Sequence, residues 1–355
     1  MEKTKKILVA GFDPCRLPLF AETFKELEPL GHEFKFVRFG LKDKYPWRII
    51  FLPAAKFFWF ALLAGYKYRG KFDTLICCDE AAEKMTGGAA RILKIKKIWL
   101  VPPEEKLPAD ARGRKKWLKA AEQTSVLVFT SKDLIERQNA GLPAERLKLM
   151  TPAIRLHGQK YQENIFYKIA QAESQTKKFF NLGFICDLDE KRLGDLELIF
   201  QAIRLARQVI PNLQLIVVGD GEEKKKLLWL AKKLGLDACL WLVGEQPQLR
   251  KWLDSFDAFL AVQSRPTLND YLLTLRAMEA ELPVIAPGYL GFEDLIENDR
   301  SGLITETGGS EALAGQIIRL KQDRRLAQKL GQAARERVEK NFQLEKTVAA
   351  FKEIL

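Results

Sequence analysis

Short apolar runs alternate with helix-length stretches along nearly the whole chain, and this alternation limits the fold more than any other feature. Residues 6–11, 33–39, 74–78, 97–101, 126–129 and 147–150 read as strands. Amphipathic stretches at 17–30, 81–93 and 132–139 lie between them. A second set opens at 179–183 and continues through 213–218, 239–243, 258–262, 284–286 and 302–304, followed by C-terminal helices. In the helix predicted over 195–209, Leu196, Ile199, Phe200 and Ile203 share one face, the spacing of a helix that packs on a sheet. Strands joined by helical crossovers run parallel, so each set predicts a doubly wound α/β domain. A polar, Gln- and Lys-rich connector separates the two sets. The expected division is 1–155, a linker over 156–178, and 179–344.

A length of 355 residues suits two such domains, and 47% hydrophobic with 29% charged residues is the balance of a globular protein with an ample core. Cys15, Cys77, Cys78, Cys186 and Cys239 are scattered, odd in number and without metal-ligand spacing. That pattern predicts a reduced, cytoplasmic protein. Residues 1–6 run straight into a strand and lack an apolar signal core. The turn after the first strand, Gly11-Phe-Asp-Pro-Cys-Arg16, holds no Gly-x-Gly-x-x-Gly, which argues against a bound dinucleotide. No motif calls for a cofactor or a metal.

The formal net charge of +12 implies an anionic partner: nucleic acid, anionic lipid or a phosphorylated substrate. Nucleic acid is not expected, because aromatic interleaving is sparse and no named nucleic-acid motif is present. Residues 47–68 are apolar on nearly all faces, with Phe57, Trp59 and Phe60 at their centre and Lys44, Arg48, Lys67, Arg69 and Lys71 at their flanks. The run falls short of the about 20 apolar residues that span a bilayer and is interrupted by Lys56. Two readings stand: a helix buried in the first domain, or an interfacial helix on the inner face of a membrane with Phe57, Trp59 and Phe60 in contact with lipid. Lys94, Lys96, Lys97, Arg112, Arg114, Lys115, Lys116 and Lys119 form a basic run in the same half, read as a solvated face or as part of an anionic-membrane patch.

The stretch from Pro266 to Ala286 reads as a loop, a helix and a short buried strand. Asn269 or Asp270 is the expected N-cap, and Pro283 separates the helix from Val284-Ile285-Ala286. This segment resembles the signature of family 4 retaining glycosyltransferases, which runs Pro-Ser, a Glu, a Gly-rich turn, a second Glu, Ala-Met-Ala and Pro-Val-Ile-Ala. Ala277-Met278 and Pro283-Val284-Ile285-Ala286 keep that framework, whereas Leu268 and Arg276 stand where the glutamates would be, and Asn269-Asp270-Tyr271 replaces the Gly-rich turn. The second half resembles the family's donor-binding domain in order and spacing.

The resemblance implies a GT-B-like fold, with two Rossmann-like domains facing a cleft and a C-terminal helix over 345–355 returning to the first. It also implies that a nucleotide sugar lies at the carboxyl ends of the second domain's strands. The loops there supply the candidate donor-binding residues: Gly183, Phe184, Lys191, Arg192, Gly219, Asp220, Gly221, Gly244, Glu245, Leu268, Asn269, Asp270 and Arg276. Gly219-Asp-Gly221 is expected to bring backbone close to a ligand. In the family an Arg after the first strand and a Lys before a Gly hold the diphosphate. Here Phe184 and Leu193 occupy those places, and Lys191 and Arg192 are the nearby cations. The family's second Glu accepts from ribose hydroxyls; Arg276 has no acceptor, and its guanidinium selects anions. Two functions follow. One is sugar transfer from a nucleotide sugar to a glycan or lipid-linked acceptor in cell-envelope or surface polysaccharide synthesis. The other is a non-catalytic relative serving as a binding or partner subunit at the membrane. An ion pair of Arg276 with Glu279 or Asp270 would mark the second.

Overall fold

The apolar runs of each half pair into a parallel sheet. The computed structural model describes residues 5–10, 18–30, 32–37, 63–64, 72, 74–78, 80–101, 110–132, 135–136, 142–156, 179–264, 266–288, 291–305 and 309–355. Phe57, Trp59 and Phe60, like most of the aromatic stretch and the connector at 157–178, lie outside the described residues. The chain divides into two compact units: Met1–Ala153 with Thr267–Asn269 and Leu344–Leu355, and Ile154–Pro266 with Asp270–Gln343.

The first unit contains β1 (Lys6–Ala10), α1 (Pro18–Leu27), β2 (Glu33–Val37), β3 (Thr74–Cys77), α2 (Glu80–Ile92), β4 (Lys96–Val101), α3 (Ala111–Glu122), β5 (Val126–Phe129) and β6 (Leu147–Leu149). Its described strands form a six-stranded sheet in the order β2-β1-β3-β4-β5-β6, every neighbouring pair parallel. Ile7 to Ala10 and Thr74 to Cys77 are buried along their whole length, the continuous apolar run of a strand covered on both faces. Asp110 caps α3 by accepting from the Gly113 N–H at 2.7 Å.

The basic run of this unit divides. Arg112, Arg114, Lys115, Lys116 and Lys119 on α3 are exposed. Lys97 instead points into the core and pairs with Glu83 of α2 at 2.7 Å, while Lys96 Nζ donates to the Ile354 carbonyl at 2.7 Å. Those two lysines therefore add little to the solvated or membrane-facing surface expected of them.

The second unit contains β7 (Phe180–Ile185), α4 (Leu193–Ala206), β8 (Leu213–Val218), α5 (Lys224–Lys233), β9 (Leu240–Leu242), α6 (Leu249–Leu253), β10 (Ala258–Leu260), α7 (Leu268–Glu279), β11 (Val284–Pro287), α8 (Phe292–Leu295), β12 (Leu303–Thr305), α9 (Ser310–Gln322) and α10 (Arg324–Asn341). The sheet order is β12-β11-β10-β7-β8-β9, again parallel throughout. Leu196, Ile199, Phe200 and Ile203 of α4 are fully buried in a core shared with β7, β8 and α9. The last helix, α11 (Leu344–Ile354), belongs to the first unit, where Phe351 meets Phe24 of α1 edge-on at 5.5 Å.

Candidate functional site

The loops at the carboxyl ends of β7, β8 and β9 are stitched to one another. Leu188 N donates to the Asp220 carbonyl at 3.0 Å, Glu223 N to the Leu188 carbonyl at 3.0 Å, and Gly219 N to the Gly244 carbonyl at 2.9 Å. Gly219 sits at φ +142°, and a Cβ there would collide with the Cys186 carbonyl; a Cβ on Gly221 would collide with Leu188 backbone. Their small size therefore serves the packing of loop on loop. Gly183 likewise makes room for the Phe256 ring, and Gly244 is required by its own left-handed φ of +77°. Asp220 is exposed at the rim, with Oδ1 accepting from Gly221 N at 2.9 Å and Oδ2 from Lys224 Nζ at 3.2 Å. Those two donors hold its carboxyl below the ordinary range, the backbone N–H first.

One candidate cation turns inward. Arg192 ends a one-turn 3-10 helix whose cap, Asp189, accepts from the Arg192 N–H at 3.2 Å. Its guanidinium is buried and reaches Asp270 Oδ2 at 2.5 Å and Asp195 Oδ2 at 3.4 Å. Asp195 lies in the first turn of α4 and Asp270 in the first turn of α7, positions where helix dipoles favour carboxylates. Asp195 Oδ1 also accepts from Ser264 N at 2.9 Å, tying the loop after β10 into the cluster. Burial pulls the Arg192 pKa down, Asp270 and Asp195 outweigh it, and the net shift is upward. Burial pushes the neighbouring Cys186 thiol well up; Arg192 opposes that, but Asp270, Asp187 and Asp195 reinforce it. A thiol held protonated there is neither base nor nucleophile.

Arg276 is engaged elsewhere. Its Nη1 donates to the Arg155 carbonyl at 2.6 Å and pairs with the buried Glu279 at 3.0 Å. Arg250 approaches the same Glu279 carboxylate at 4.0 Å and bonds Asp254 at 3.0 Å. Of the two internal partners considered for Arg276, Glu279 is bonded here, and Asp270 is bonded to Arg192. The helix also begins at Leu268, so Asn269 and Asp270 lie inside its first turn and not at its cap.

The other candidates scatter. Lys191, Asn269 and Glu245 are exposed, whereas Phe184 and Leu268 are fully buried and present no side-chain surface to a ligand. Two residues not picked from the sequence belong to the cluster, Asp195 and Ser264, and Gln263 adjoins Ser264 in the chain. Gln263 is completely buried just beyond β10, and neither its Oε1 nor its Nε2 has a hydrogen-bond partner among the described residues. The signal for it was a lone amide ending the apolar run 258–262. A concavity of about 240 Å³, lined by Asp254, Asp257, Glu281 and Pro283 among others, opens beside the amino ends of β10 and β11. That is the wrong end of the sheet for a ligand site of the βα type.

Residues 189–337 match the family described as Glycosyl transferases group 1, the stretch from the cap of the Arg192 turn into α10. That stretch is similar to the group 1 glycosyl transferases and makes up less than half of the chain. Among curated proteins, the chain is 30% identical over 141 residues to N-acetyl-alpha-D-glucosaminyl L-malate synthase of Bacillus anthracis, covering 40% of this chain and 36% of that protein. It is 27% identical over 208 residues to the amylovoran biosynthesis glycosyltransferase AmsK of Erwinia amylovora, covering 57% and 48%. The matched stretches thus span about half or less of those relatives. Among solved structures, Anabaena Alr3699/HepE in complex with UDP and glucose superposes with a TM-score of 0.74 at 17% identity, covering 99% of each chain. A glycosyltransferase from Rickettsia africae gives a TM-score of 0.77 at 15% identity over 99% of this chain and 98% of that one. The fold is that of the GT-B glycosyltransferases.

Proposed function

We propose that the chain transfers a sugar from a nucleotide-sugar donor to a glycan or lipid-linked acceptor in cell-envelope or surface polysaccharide synthesis. One observation carries the reading: the group 1 match takes in the Arg192, Asp195, Ser264 and Asp270 cluster at the carboxyl ends of β7 and β10. Ligands of open α/β sheets bind at such strand ends. Relatives named for amylovoran and lipopolysaccharide core biosynthesis support the acceptor class. HepE, described with UDP and glucose, makes uridine diphosphate sugars the first donors to test.

In this reading the donor is held through its charge. A diphosphate offers the two ends of the Arg192 guanidinium the anionic oxygens that Asp270 and Asp195 now supply singly. Donor entry exchanges the carboxylate for phosphate, with exposed Lys191 as the second cation. Charge that develops on the leaving diphosphate is then met by fixed cations, the form of stabilisation this transfer needs most. Arg276, a donor without an acceptor, takes no part in holding ribose hydroxyls as a glutamate would.

Calorimetry with UDP, GDP, CDP and ADP, followed by hydrolysis assays on the corresponding sugar nucleotides, tests the reading. At least one nucleoside diphosphate binds, and Arg192→Lys weakens it by removing the bidentate fork. Silence toward every donor overturns the reading. A second reading then stands, favoured by the pairing of Arg192 with Asp270 and of Arg276 with Glu279: a non-catalytic relative that binds a partner enzyme or glycan.

A further inference from the structure

Helix α5 turns toward water a face that does not suit water. Its sequence is Lys-Lys-Lys-Leu-Leu-Trp-Leu-Ala-Lys-Lys, and Leu227 and Ala231 anchor it in the core of the second unit. Lys225, Leu228, Trp229, Lys232 and Lys233 follow the spacing i, i+3, i+4, i+7, i+8, so they line the opposite face. Leu228 is 49% exposed and Trp229 62% exposed. A helix face turned to solvent is ordinarily polar at its centre. Here the centre is apolar and the lysines surround it.

The charges on this face are uneven. Lys224 is paired with Asp220 at 3.2 Å and Lys226 with Glu223 at 3.7 Å, which neutralises two of the three lysines in the amino-terminal turn. Lys225, Lys232 and Lys233 have no carboxylate within salt-bridge distance among the described residues, and Lys233 lies over the Trp229 ring at 5.3 Å from its centroid. The carboxyl end is fixed by a glycine cap: Gly235 at φ +70°, its N–H on the Lys232 carbonyl at 3.0 Å and the Leu236 N–H on Ala231 at 2.9 Å. The face is presented by a rigid element.

We propose that the outward face of α5 docks the second unit on an anionic lipid bilayer. Trp229 and Leu228 enter the boundary between headgroups and acyl chains. The stems of Lys225, Lys232 and Lys233 lie along the apolar surface and place their ammonium groups among lipid phosphates. Charge complementarity favours this occupant, since the chain carries a formal charge of +12 and these lysines are unneutralised. The exposed Leu228 separates it from a polyanion in solution, because a nucleic-acid backbone gives a leucine nothing to contact. This site differs from the aromatic stretch at 47–68 and is independent of sugar transfer.

The test is cosedimentation of the full chain with phosphatidylcholine vesicles and with vesicles of equal parts phosphatidylcholine and phosphatidylglycerol. The native chain partitions onto the anionic vesicles, and salt weakens it. Leu228→Ser with Trp229→Ser reduces partitioning by roughly tenfold or more through lost apolar burial. Lys225→Gln with Lys232→Gln and Lys233→Gln reduces it by on the order of a hundredfold. Thermal melts check that the variants fold. As a readout without mutation, amides across 224–236 in the native chain exchange hydrogen more slowly once anionic vesicles are added. Equal binding to both vesicle types, undiminished binding by both variants, or exchange at 224–236 unchanged by vesicles overturns the proposal. Self-association of the native chain that Leu228→Ser with Trp229→Ser abolishes, without vesicle binding, overturns it in favour of a protein contact.

Discussion

Arg192 and Asp270 stand 78 residues apart in the chain and meet at 2.5 Å inside the second unit. Their carrier elements, the turn after β7 and the first turn of α7, approach each other at the carboxyl end of the sheet, so the pair locks two loops that a ligand would have to address. Removing one partner of a buried pair leaves an uncompensated charge. Asp270→Asn is therefore expected to cost about 3–5 kcal/mol, read by urea unfolding of the full chain. Arg192→Met combined with Asp270→Asn is expected to cost less than the sum of the two single changes, because each single change already breaks the same contact. Simple additivity of the two changes would refute the coupling.

The buried pair of the first unit follows the same logic. Lys97 Nζ and Glu83 Oε1 lie 2.7 Å apart, with side chains 2% and 7% exposed. Glu83→Gln strands a buried ammonium and is expected to cost about 3–5 kcal/mol, and Lys97→Met with Glu83→Gln recovers much of it. A denaturant midpoint for Glu83→Gln equal to that of the native chain would contradict the pairing.

Both pairs show what a linear reading could and could not deliver. The two parallel sheets were legible because apolar runs and crossover lengths are local properties, and the strands fall within a few residues of where the alternation places them. Side-chain direction was not legible. Lys97 reads like its neighbours in a basic run, and only the placement of Glu83 on the facing helix turns it inward. Arg192 looks like a surface cation next to Lys191 until Asp195 and Asp270 arrive from two other segments. The glycines were visible, but their reason was not: the backbone that crowds Gly219 and Gly221 comes from the loop after β7. Phe184 stood at the place of a family cation, yet an aromatic at that point of a buried strand joins the core.

Asp220 gives the loops a pH dependence with a definite sign. Its carboxyl is held below the ordinary value of 3.8 by the Gly221 N–H and Lys224. A depressed carboxyl contributes stability that is present above its unfolded value and lost as pH falls through its folded value. The advantage in melting temperature of the native chain over Asp220→Asn should therefore shrink as pH drops under 3.8. Parallel curves for the two proteins across that window would exclude the contribution.

The thiols should be silent. Cys77, Cys78, Cys186 and Cys239 are buried thiols outside any disulfide, and burial pushes those of Cys186 and Cys239 upward. Since the thiolate is the reactive form, a Cys15→Ser chain is expected to take up no aromatic disulfide reagent at mildly alkaline pH until denaturant is added. Rapid labelling of the folded variant would show that the strand ends around Cys186 open to solvent.

Gln263 separates a ligand group from a structural one. Both atoms of its amide are buried without a partner among the described residues, a state that costs stability and that native proteins rarely tolerate without a use. It sits next to Ser264, whose N–H is held by Asp195 in the cluster around Arg192. Gln263→Met keeps the length of the side chain and removes the unpaired donor and acceptor. The unliganded variant is expected to gain about 1–3 kcal/mol, seen as a higher urea midpoint. If the amide serves the donor, the same variant binds nucleoside diphosphate or sugar nucleotide more weakly, so stability and affinity move in opposite directions. Lower stability together with unchanged affinity would mean that the amide packs and bonds within the fold, and would remove Gln263 from the site.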